Sequence, residues 1–282
     1  MKHFPWILCL LLPCLAARSL QPSGHPKEKW VTLFNGRNLT GWDSYIAPGK
    51  QDGGDGKTIV TGGLNNDAKK VFSVVQQDGH GVIRVSGEQW GGLSTLQKYD
   101  NFHLQLQFKW GELTWGQKKG KKKDSGLLYF AVGKHGADGN AWMRSQEFQI
   151  QEGDCGDYWG VAGAGEEVPA HKKSDSEYVY DPSGQRYLFS ATSTSGRHCI
   201  KRGEPENPTG QWNTLDLYCH GDTSIHVVNG KVVMVLYHSQ QMDNGQSTPL
   251  AKGKLQLQSE GAEVFYRDIR ITAISQLPPG MQ

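Results

Sequence analysis

The sequence predicts an all-β fold, a sandwich of two antiparallel sheets, and three observations favour it. Helical periodicity is nearly absent, whereas short runs of alternating apolar and polar residues recur along the chain. Clusters rich in glycine, asparagine and aspartate separate these runs, and glycine accounts for 36 of the 282 residues. Because each such strand has one apolar face to bury, two sheets are expected to pack face to face.

The clearest strands can be placed along the chain from this alternation. From Phe102 to Trp110 every second side chain is apolar and the side chains between them are polar. Asn229-Gly230 lies between two apolar segments and is a preferred dipeptide of the two-residue hairpin turn. A later run alternates leucine with glutamine. The predicted strands therefore lie at 102–110, 215–218, 225–228, 232–236 and 255–260.

A strand that begins at Glu147 carries the most informative pattern. Successive side chains of a strand point to opposite faces, so Phe148 and Ile150 are expected to enter the core. Glu147, Gln149 and Gln151 then form a row on the other face. The carboxylate can move a proton, and the amides can donate to and accept from hydroxyls, which is typical of a sugar-binding groove. An ordinary solvated strand face is the competing interpretation.

Residues 1–17 are predicted to be a secretory signal peptide. An apolar run at 6–15 follows a basic start and is closed by the small residues Ala16 and Ala17. The run is too short to span a bilayer, and no later run is apolar enough, so no membrane span is expected. We expect cleavage near Ala16 or Ala17, a loose leader at 18–29, and a protein that is secreted or periplasmic.

The remaining chain is predicted to be a single sandwich domain at 30–276 with a tail at 277–282. No linker or repeat divides it, and a net charge of only +2 argues against nucleic acid as a partner. The lysine-rich run 118–123 is predicted to be a solvated loop tip. The segment 153–175, rich in glycine and acid, is predicted to be a long functional loop.

The cysteines predict one disulfide bridge. Export exposes the chain to an oxidising compartment, and three cysteines remain after signal removal, Cys155, Cys199 and Cys219. Three thiols allow one bridge and leave one thiol free. The pair Cys199–Cys219 is slightly preferred because it would join two neighbouring strand candidates, and Cys155 remains open as an alternative partner.

A series of motifs resembles, in order, those of the 3-keto-disaccharide hydrolase family. Each motif is weak alone, but together they extend from Trp30 to about Ile274. The resemblance implies a jelly-roll sandwich similar to concanavalin A-like lectins and glucanases, with a sugar-binding groove on its concave face. The motifs occupy 33–42 (LFNGRNLTGW), 124–130, 147–150, 210–213, 226–230, 253–261 and 264–269.

The resemblance also implies a reaction that needs fewer carboxylates than ordinary glycoside hydrolysis. A retaining glycosidase requires two carboxylates roughly 5 Å apart, yet the positions that follow Glu147 on the groove face are Gln149 and Gln151, which cannot ionise. In a 3-keto sugar the ketone acidifies the proton on C2, so a base and an electrophile suffice. The substrates implied are 3-keto-glycosides, made by a sugar 3-oxidoreductase.

Candidate site residues follow from the strand faces and from this resemblance. Glu147 is the candidate general base, although a carboxylate paired across the sheet would look the same, and Glu260 is a second candidate acid or ligand. No histidine shows metal-ligand spacing and no cofactor is evident, so the sequence leaves a divalent metal open. The candidate substrate-binding residues are Gln149, Asp124, Gln258, Trp142, Tyr158, Trp159 and His171.

Two other functions remain open at this stage. A non-catalytic carbohydrate-binding protein could use the same groove, and the missing second carboxylate on the Glu147 strand favours it. Glu147 itself argues against it, because a lectin would need only amides there. A structural module of a surface assembly is the third interpretation.

Overall fold

The computed structural model describes residue 1 and the ranges 29–50 and 59–281. The predicted signal peptide beyond its first residue and nearly all of the predicted leader lie outside the described residues. Within these ranges the chain forms no helix with the length and apolar character needed to cross a membrane.

Almost all regular structure in the described ranges is β-strand. The exception is one short 3₁₀ turn at Gly116–Lys118. The strands, numbered in chain order, are β1 Val31–Thr32, β2 Trp42–Ile46, β3 Gly49–Lys50, β4 Ile59–Val60, β5 Gly63–Leu64, β6 Phe72–Gln77, β7 His80–Val85, β8 Gly91–Thr95, β9 Phe102–Thr114, β10 Asp124–Val132, β11 Arg144–Gln151, β12 Tyr158–Val161, β13 Ala164–Lys172, β14 Tyr178–Tyr180, β15 Gln185–Ser190, β16 His198–Cys199, β17 Asn213–His220, β18 Thr223–Val228, β19 Lys231–Asp243, β20 Gln246–Pro249, β21 Lys254–Ser259 and β22 Ala262–Ala273.

Two large antiparallel sheets contain most of these strands. One has twelve strands, with the central order β14-β13-β19-β18-β17-β9-β22-β7-β6, and the other has eight, in the order β16-β12-β11-β10-β21-β8-β2-β5. Neighbours in each sheet are mostly distant in sequence, so the chain crosses repeatedly from one sheet to the other. The protein is an all-β jelly-roll sandwich, as its sequence predicts.

The alternation read from the sequence separates core from surface. On β9 the buried apolar series includes Leu104, Leu106 and Phe108, and on β11 Phe148 and Ile150 are fully buried. These side chains belong to one apolar cluster between the two sheets. The polar side chains that alternate with them, such as Gln105 on β9 and Glu147 on β11, therefore face outward, away from the other sheet.

A hydrogen-bonded polar group also lies in this interior. Tyr129 places its hydroxyl 2.8 Å from a Glu166 carboxyl oxygen and 3.1 Å from His226 Nε2. Ser224 donates to the other Glu166 oxygen at 3.1 Å, and His226 lies 3.3 Å from the Gly156 carbonyl through Nδ1. Burial raises the pKa of Glu166 to about 8 and lowers that of His226 to about 3. Both groups are therefore held mainly neutral at pH 7.

The hairpin prediction is confirmed in detail. Val228 pairs with Lys231, and the two residues between them, Asn229 and Gly230, have φ of 48° and 75°. Two successive positive φ angles are the mark of a type I′ turn, which matches the twist of the flanking strands.

The predicted long loop at 153–175 is wrong. The segment contains all of β12 and β13, which belong to different sheets. Of its glycines, Gly160 and Gly165 lie in strands where other backbone passes close by, and at Gly160 a Cβ would lie 2.4 Å from the Ala164 carbonyl oxygen. The composition of this segment is therefore typical of a loop, although much of its backbone is paired in strands.

The predicted disulfide is also wrong, because Cys155, Cys199 and Cys219 are all free and buried. Cys199 lies on β16 of the eight-stranded sheet and Cys219 on β17 of the twelve-stranded sheet. The two strands that seemed neighbours along the chain are therefore not paired with each other. Burial raises the pKa of each thiol, so all three are held as inert thiols.

Candidate functional site

A cleft of about 270 Å³ lies on the outward face of the eight-stranded sheet. Strands β10, β11, β12 and β21 form its floor, and side chains from the 3₁₀ turn and from the segment before β16 close its sides. Its lining residues are Lys118, Asp124, Asp138, Trp142, Glu147, Gln149, Gln151, Trp159, Val161, Arg197, Gln258 and Glu260.

Gly126 on β10 makes room for the acidic and amide side chains of this floor. It lies between β11 and β21, opposite Gln149 in the register of β11. A Cβ at this position would come within 2.3 Å of Glu147 Oε1 and 2.6 Å of Gln258 Oε1. Both side chains therefore lie across the bare backbone of Gly126, and any other residue would push them away.

Glu147 is a buried carboxyl, only 6% exposed. Burial, reinforced by the negative charge of Asp124, raises its pKa to about 8, while Arg197 and a hydrogen bond with Gln258 oppose the shift. A carboxyl in this range can both take up and release a proton near neutral pH, which an ordinary surface glutamate cannot do.

Glu260, directly after β21, shares the cleft. It is partly exposed, yet burial of its carboxyl raises the pKa well above the usual range, and the charges of Asp124 and Glu147 raise it further. Lys118 and Arg197 oppose that shift. Because the negative charge of Glu147 raises the pKa of Glu260, the cleft favours a state in which Glu147 is ionised and Glu260 keeps its proton.

Asp124 is the third acid of the cleft. Burial raises its pKa, but Lys118 opposes the shift through its charge and a direct hydrogen bond. Gln151 donates to the same carboxylate oxygen at 2.6 Å. Asp124 is therefore held mainly as an ion-pair partner of Lys118, whereas neither Glu147 nor Glu260 forms a salt bridge in the described part of the chain.

The prediction of a solvated lysine loop is wrong for Lys118. The 3₁₀ turn that carries it packs on the turn after Glu260, where Trp115 N donates to Gly261 O at 2.7 Å. A Cβ on Gly261 would lie 2.9 Å from Lys118 Cγ, so a bare backbone is needed for this approach. Lys118 is thereby directed into the cleft, and its ammonium group faces Asp124.

Arg197 supplies the second positive charge. Its guanidinium donates to Asp138 Oδ2 at 2.7 Å and lies 5.3 Å from the centre of the Trp159 ring. Arg197 is exposed at the rim, with 42% of its side chain accessible, so it remains available to a ligand. No sequence pattern predicted Arg197 or Asp138, because each lies in an irregular segment far from the Glu147 strand.

Three buried oxygen atoms of the cleft have no hydrogen-bond partner among the described residues. They are Asp124 Oδ1, Gln149 Oε1 and Gln258 Oε1. Burial without a partner costs about 1–3 kcal/mol for such a group. Convergent unpaired acceptors in one cleft indicate a ligand with several donors, and sugar hydroxyls meet that requirement.

Most predicted site residues come together here, with two corrections. Glu147, Glu260, Asp124, Gln149, Gln258, Trp142 and Trp159 all line the cleft. Tyr158 does not, because it has the opposite strand parity to Trp159 and its hydroxyl donates to Gln146 in the interior at 2.6 Å. His171 does not either, because it lies on β13 of the other sheet, where it is exposed and 3.6 Å from Asp181.

The two tryptophans of the cleft are held by other rings. Trp142 stacks on Trp90 with ring centres 5.4 Å apart, and Trp159 stacks on His198 at 4.3 Å. His198 is in turn fixed by Asp157, at 2.8 Å from Nε2. Each tryptophan therefore forms a rigid wall, with one ring face already covered.

No group of three or more histidine, cysteine, aspartate or glutamate side chains with an arrangement suited to a metal ion occurs in the ranges 29–50 and 59–281. The positive charge in the cleft comes from Lys118 and Arg197.

The model of the 3-keto-alpha-glucoside-1,2-lyase-like domain matches residues 29–272. Two proteins of Parabacteroides distasonis, each proposed to be a glycosyl hydrolase, are similar in structure. The first is 19% identical, with 87% of this chain and 100% of that chain covered and a TM-score of 0.47. The second is 18% identical, with 87% and 94% covered and a TM-score of 0.48.

The carbohydrate binding module CBM66 of Bacillus subtilis is another similar structure. It is 8% identical, with 72% of this chain and 92% of that chain covered and a TM-score of 0.41. A comparison with curated proteins gives no match.

Proposed function

The chain belongs to the 3-keto-alpha-glucoside-1,2-lyase-like family, and from that membership and the cleft we propose that it cleaves 3-keto-glycosides. The family places the protein among carbohydrate-active proteins. The observation that carries the proposal is the pair Glu147 and Glu260, two carboxyls with raised pKa in one cleft with Lys118 and Arg197. A base, an acid and two electrophilic groups are what an elimination across C1 and C2 of a 3-keto sugar requires.

In the proposed first step, ionised Glu147 takes the proton from C2. The electron pair of the C2–H bond forms the C2–C3 double bond of an enolate, and the negative charge moves to the ketone oxygen. Lys118 and Arg197 stabilise that oxygen by charge and hydrogen bonds. Neither group needs to move far, because the carboxylates of Asp124 and Asp138 already hold them at the cleft.

In the second step the enolate collapses and the bond from C1 to the leaving oxygen breaks. The electron pair of the C2–C3 double bond moves to form the C1–C2 double bond, and the ketone at C3 re-forms. The electron pair of the broken bond stays on the leaving oxygen, to which protonated Glu260 gives its proton. The products are an enone and the free alcohol or sugar. Addition of water to C1 of the enone gives net hydrolysis and needs no second nucleophile on the protein.

The first test is incubation of the purified protein with a 3-keto-disaccharide and with its unoxidised parent. We expect free sugar from the oxidised compound only, since the parent lacks the acidic C2 proton. Glu147→Gln should release sugar much more slowly, because glutamine cannot accept the C2 proton. Glu152→Gln is the matched control and should keep the wild-type rate, because Glu152 follows the same strand but does not line the cleft. Saturable binding of the 3-keto-disaccharide without release of sugar would favour the non-catalytic carbohydrate-binding function instead.

We also propose that the protein is exported and acts after a sugar 3-oxidoreductase. The signal-like N-terminal sequence supports export, and the need for a 3-keto substrate supports the reaction order. N-terminal sequencing of secreted or periplasmic protein tests the first part. A mature start near Ala17 or Arg18 is expected, and a start at Met1 would contradict it.

A further inference from the structure

A second cleft, of about 700 Å³, lies on the other side of the molecule, on the outward face of the twelve-stranded sheet. Its floor is formed by the polar side chains of β9, β17 and β22. This surface shares no residue with the Glu147 cleft. Two arginines of β22, Arg267 and Arg270, dominate its charge.

A β-bulge places both arginines on the same face. Residues three apart in a regular strand point to opposite faces. Here the register against β9 shifts between Arg267 and Arg270, and Asp268 has the left-handed φ of 52° that non-glycine residues rarely adopt. Ile269 consequently turns into the core, and both arginines face the cleft. Their Cα atoms are about 7 Å apart, since their strand partners are two residues apart.

Neutral groups hold the two guanidinium groups in place. Arg267 donates to Gln107 at 2.8 Å, and Arg270 donates twice to Gln105, at 3.0 and 2.5 Å. The guanidinium of Arg267 lies 3.9 Å from the centre of the Trp212 ring, and that of Arg270 lies 4.6 Å from the Trp30 ring. Amide oxygens and ring faces orient a guanidinium without cancelling its charge.

The acidic groups nearby leave this charge largely available. Asp216 is occupied by His103 and Gln105, each at 2.8 Å. Asp268 lies 3.6 Å from Arg267 Nε, but 72% of its side chain is exposed, so the pair is weak. The remaining N–H groups of both guanidiniums can therefore bind an anion.

We propose that this cleft binds a carboxylate-bearing saccharide, such as an oligouronide. Planar carboxylates match the fork of a guanidinium, and two arginines on one face of a strand, with Cα atoms about 7 Å apart, suit a chain with repeated carboxylates. Hydroxyl-binding groups, among them Gln107 on β9 and Thr214 on β17, lie beside Arg267 on the floor. The apolar residues of the lining, Phe34 and Ile269, are buried, so the cleft has no pocket for the apolar side chains of a peptide. The ligand would tether the protein to an acidic glycan while the other face remains free.

The test is calorimetric titration of the folded protein with trigalacturonate, with maltotriose as the neutral probe. We expect saturable binding of trigalacturonate, weakened by salt, and none of maltotriose. The double variant Arg267→Gln/Arg270→Gln should lower the affinity by about tenfold per arginine. Arg186→Gln is the matched control, because Arg186 lies over the Tyr237 ring at 3.7 Å in the same kind of stack but outside the cleft. The Arg186→Gln variant should bind trigalacturonate with the same affinity as the wild type.

A second variant distinguishes loss of binding from loss of folding. Thr214→Asp keeps both arginines but offers Arg267 a competing carboxylate, so it should lower the affinity by about tenfold at an unchanged melting temperature. The proposal is overturned if trigalacturonate does not bind, or if it binds the double variant as well as the wild type. Binding of tetraglutamate peptide or of a sulfated trisaccharide with equal affinity, lost in the same variants, would overturn the assignment to a carboxylated saccharide.

Discussion

At the scale of single residues, the cleft depends on how its charges are divided. Lys118 and Arg197 are each matched with an aspartate, and of the four acids that line the cleft Glu147 and Glu260 are left without a salt bridge to any described residue. Burial and the negative charge of Asp124 then raise the pKa of both glutamates, and the charge of Glu147 raises that of Glu260 further. The pairing therefore creates the two groups that the proposed chemistry needs, one to accept a proton and one to give it.

The pH dependence of kcat/KM reports this division directly. In the proposed mechanism Glu147, with a pKa of about 8, is the base, so kcat/KM should rise about tenfold per pH unit below pH 8 and level off above it. Since Glu260 must stay protonated, a second fall is expected at higher pH. Rates measured from pH 5 to pH 10 check both limbs. A profile that is flat between pH 5 and pH 8 would contradict the role of Glu147.

Lys118 is the residue that best tests the electrophile. Lys118→Gln keeps a long polar side chain but removes the charge that stabilises the enolate oxygen, so kcat should fall by about 10²–10³. Lys119→Gln is the control, since Lys119 is the next residue and is exposed outside the cleft. Equal rates for the two variants on a 3-keto-disaccharide would rule out this role.

At the scale of elements, the sheet floor is shaped by where side chains are missing. Gly126 on β10 allows Glu147 and Gln258 to lie across it, and Gly261 allows the Lys118 turn to approach β21. These contacts depend on strand register, which places β10 between β11 and β21 in the eight-stranded sheet.

Gly126→Ala should therefore lower activity by displacing Glu147. We expect kcat to fall by at least about tenfold, with a loss of stability of about 1–3 kcal/mol from overpacking. Gly111→Ala is the matched control, because a Cβ there would also meet a carboxylate oxygen at 2.3 Å, that of Glu263, which lies outside the cleft. It should lose comparable stability in thermal denaturation but keep its kcat. If both variants kept full activity, Gly126 would not position the base.

Some of these strands and cleft residues could be predicted from the sequence, and others could not. Strands such as β9 and β11 follow from alternation alone, and so does the shared face of Glu147 and Gln149. The register of β12 does not, because no apolar alternation distinguishes Tyr158 from Trp159, so both were predicted to line the cleft although only Trp159 does. Lys118 was hidden in a run of lysines, and the approach of Arg197 to Trp159 depends on tertiary packing that sequence spacing does not encode.

At the scale of the whole molecule, the sandwich contains a neutral polar group between its sheets. The proton of Glu166 completes the hydrogen bonds around Tyr129 and His226, because the single hydroxyl proton of Tyr129 cannot serve both neighbours. This arrangement links strands of both sheets, and Phe148, which follows the candidate base, stacks on His226 at 4.1 Å.

Stability should therefore fall as pH rises. The folded pKa of Glu166 is about 8 and exceeds the usual value of an unfolded glutamate, so the folded state binds the extra proton. Its contribution is complete below about pH 4.5 and is lost between there and about pH 8. Glu166→Gln keeps the neutral hydrogen bonds, so its melting temperature relative to the wild type should increase over this range. A difference that stays constant with pH would show that Glu166 is ionised in the folded protein.

The most direct test of the proposed chemistry follows the proton on C2. The wild type and Glu147→Gln are each incubated with a 3-keto-disaccharide in deuterated water, and the sugars are examined by NMR. We expect deuterium at C2 of the product or recovered substrate with the wild type, and turnover about 10²–10⁴-fold lower in the variant with little change in affinity. Cleavage by the wild type that leaves the C2 proton in place, or full activity of Glu147→Gln, would contradict abstraction of that proton by Glu147.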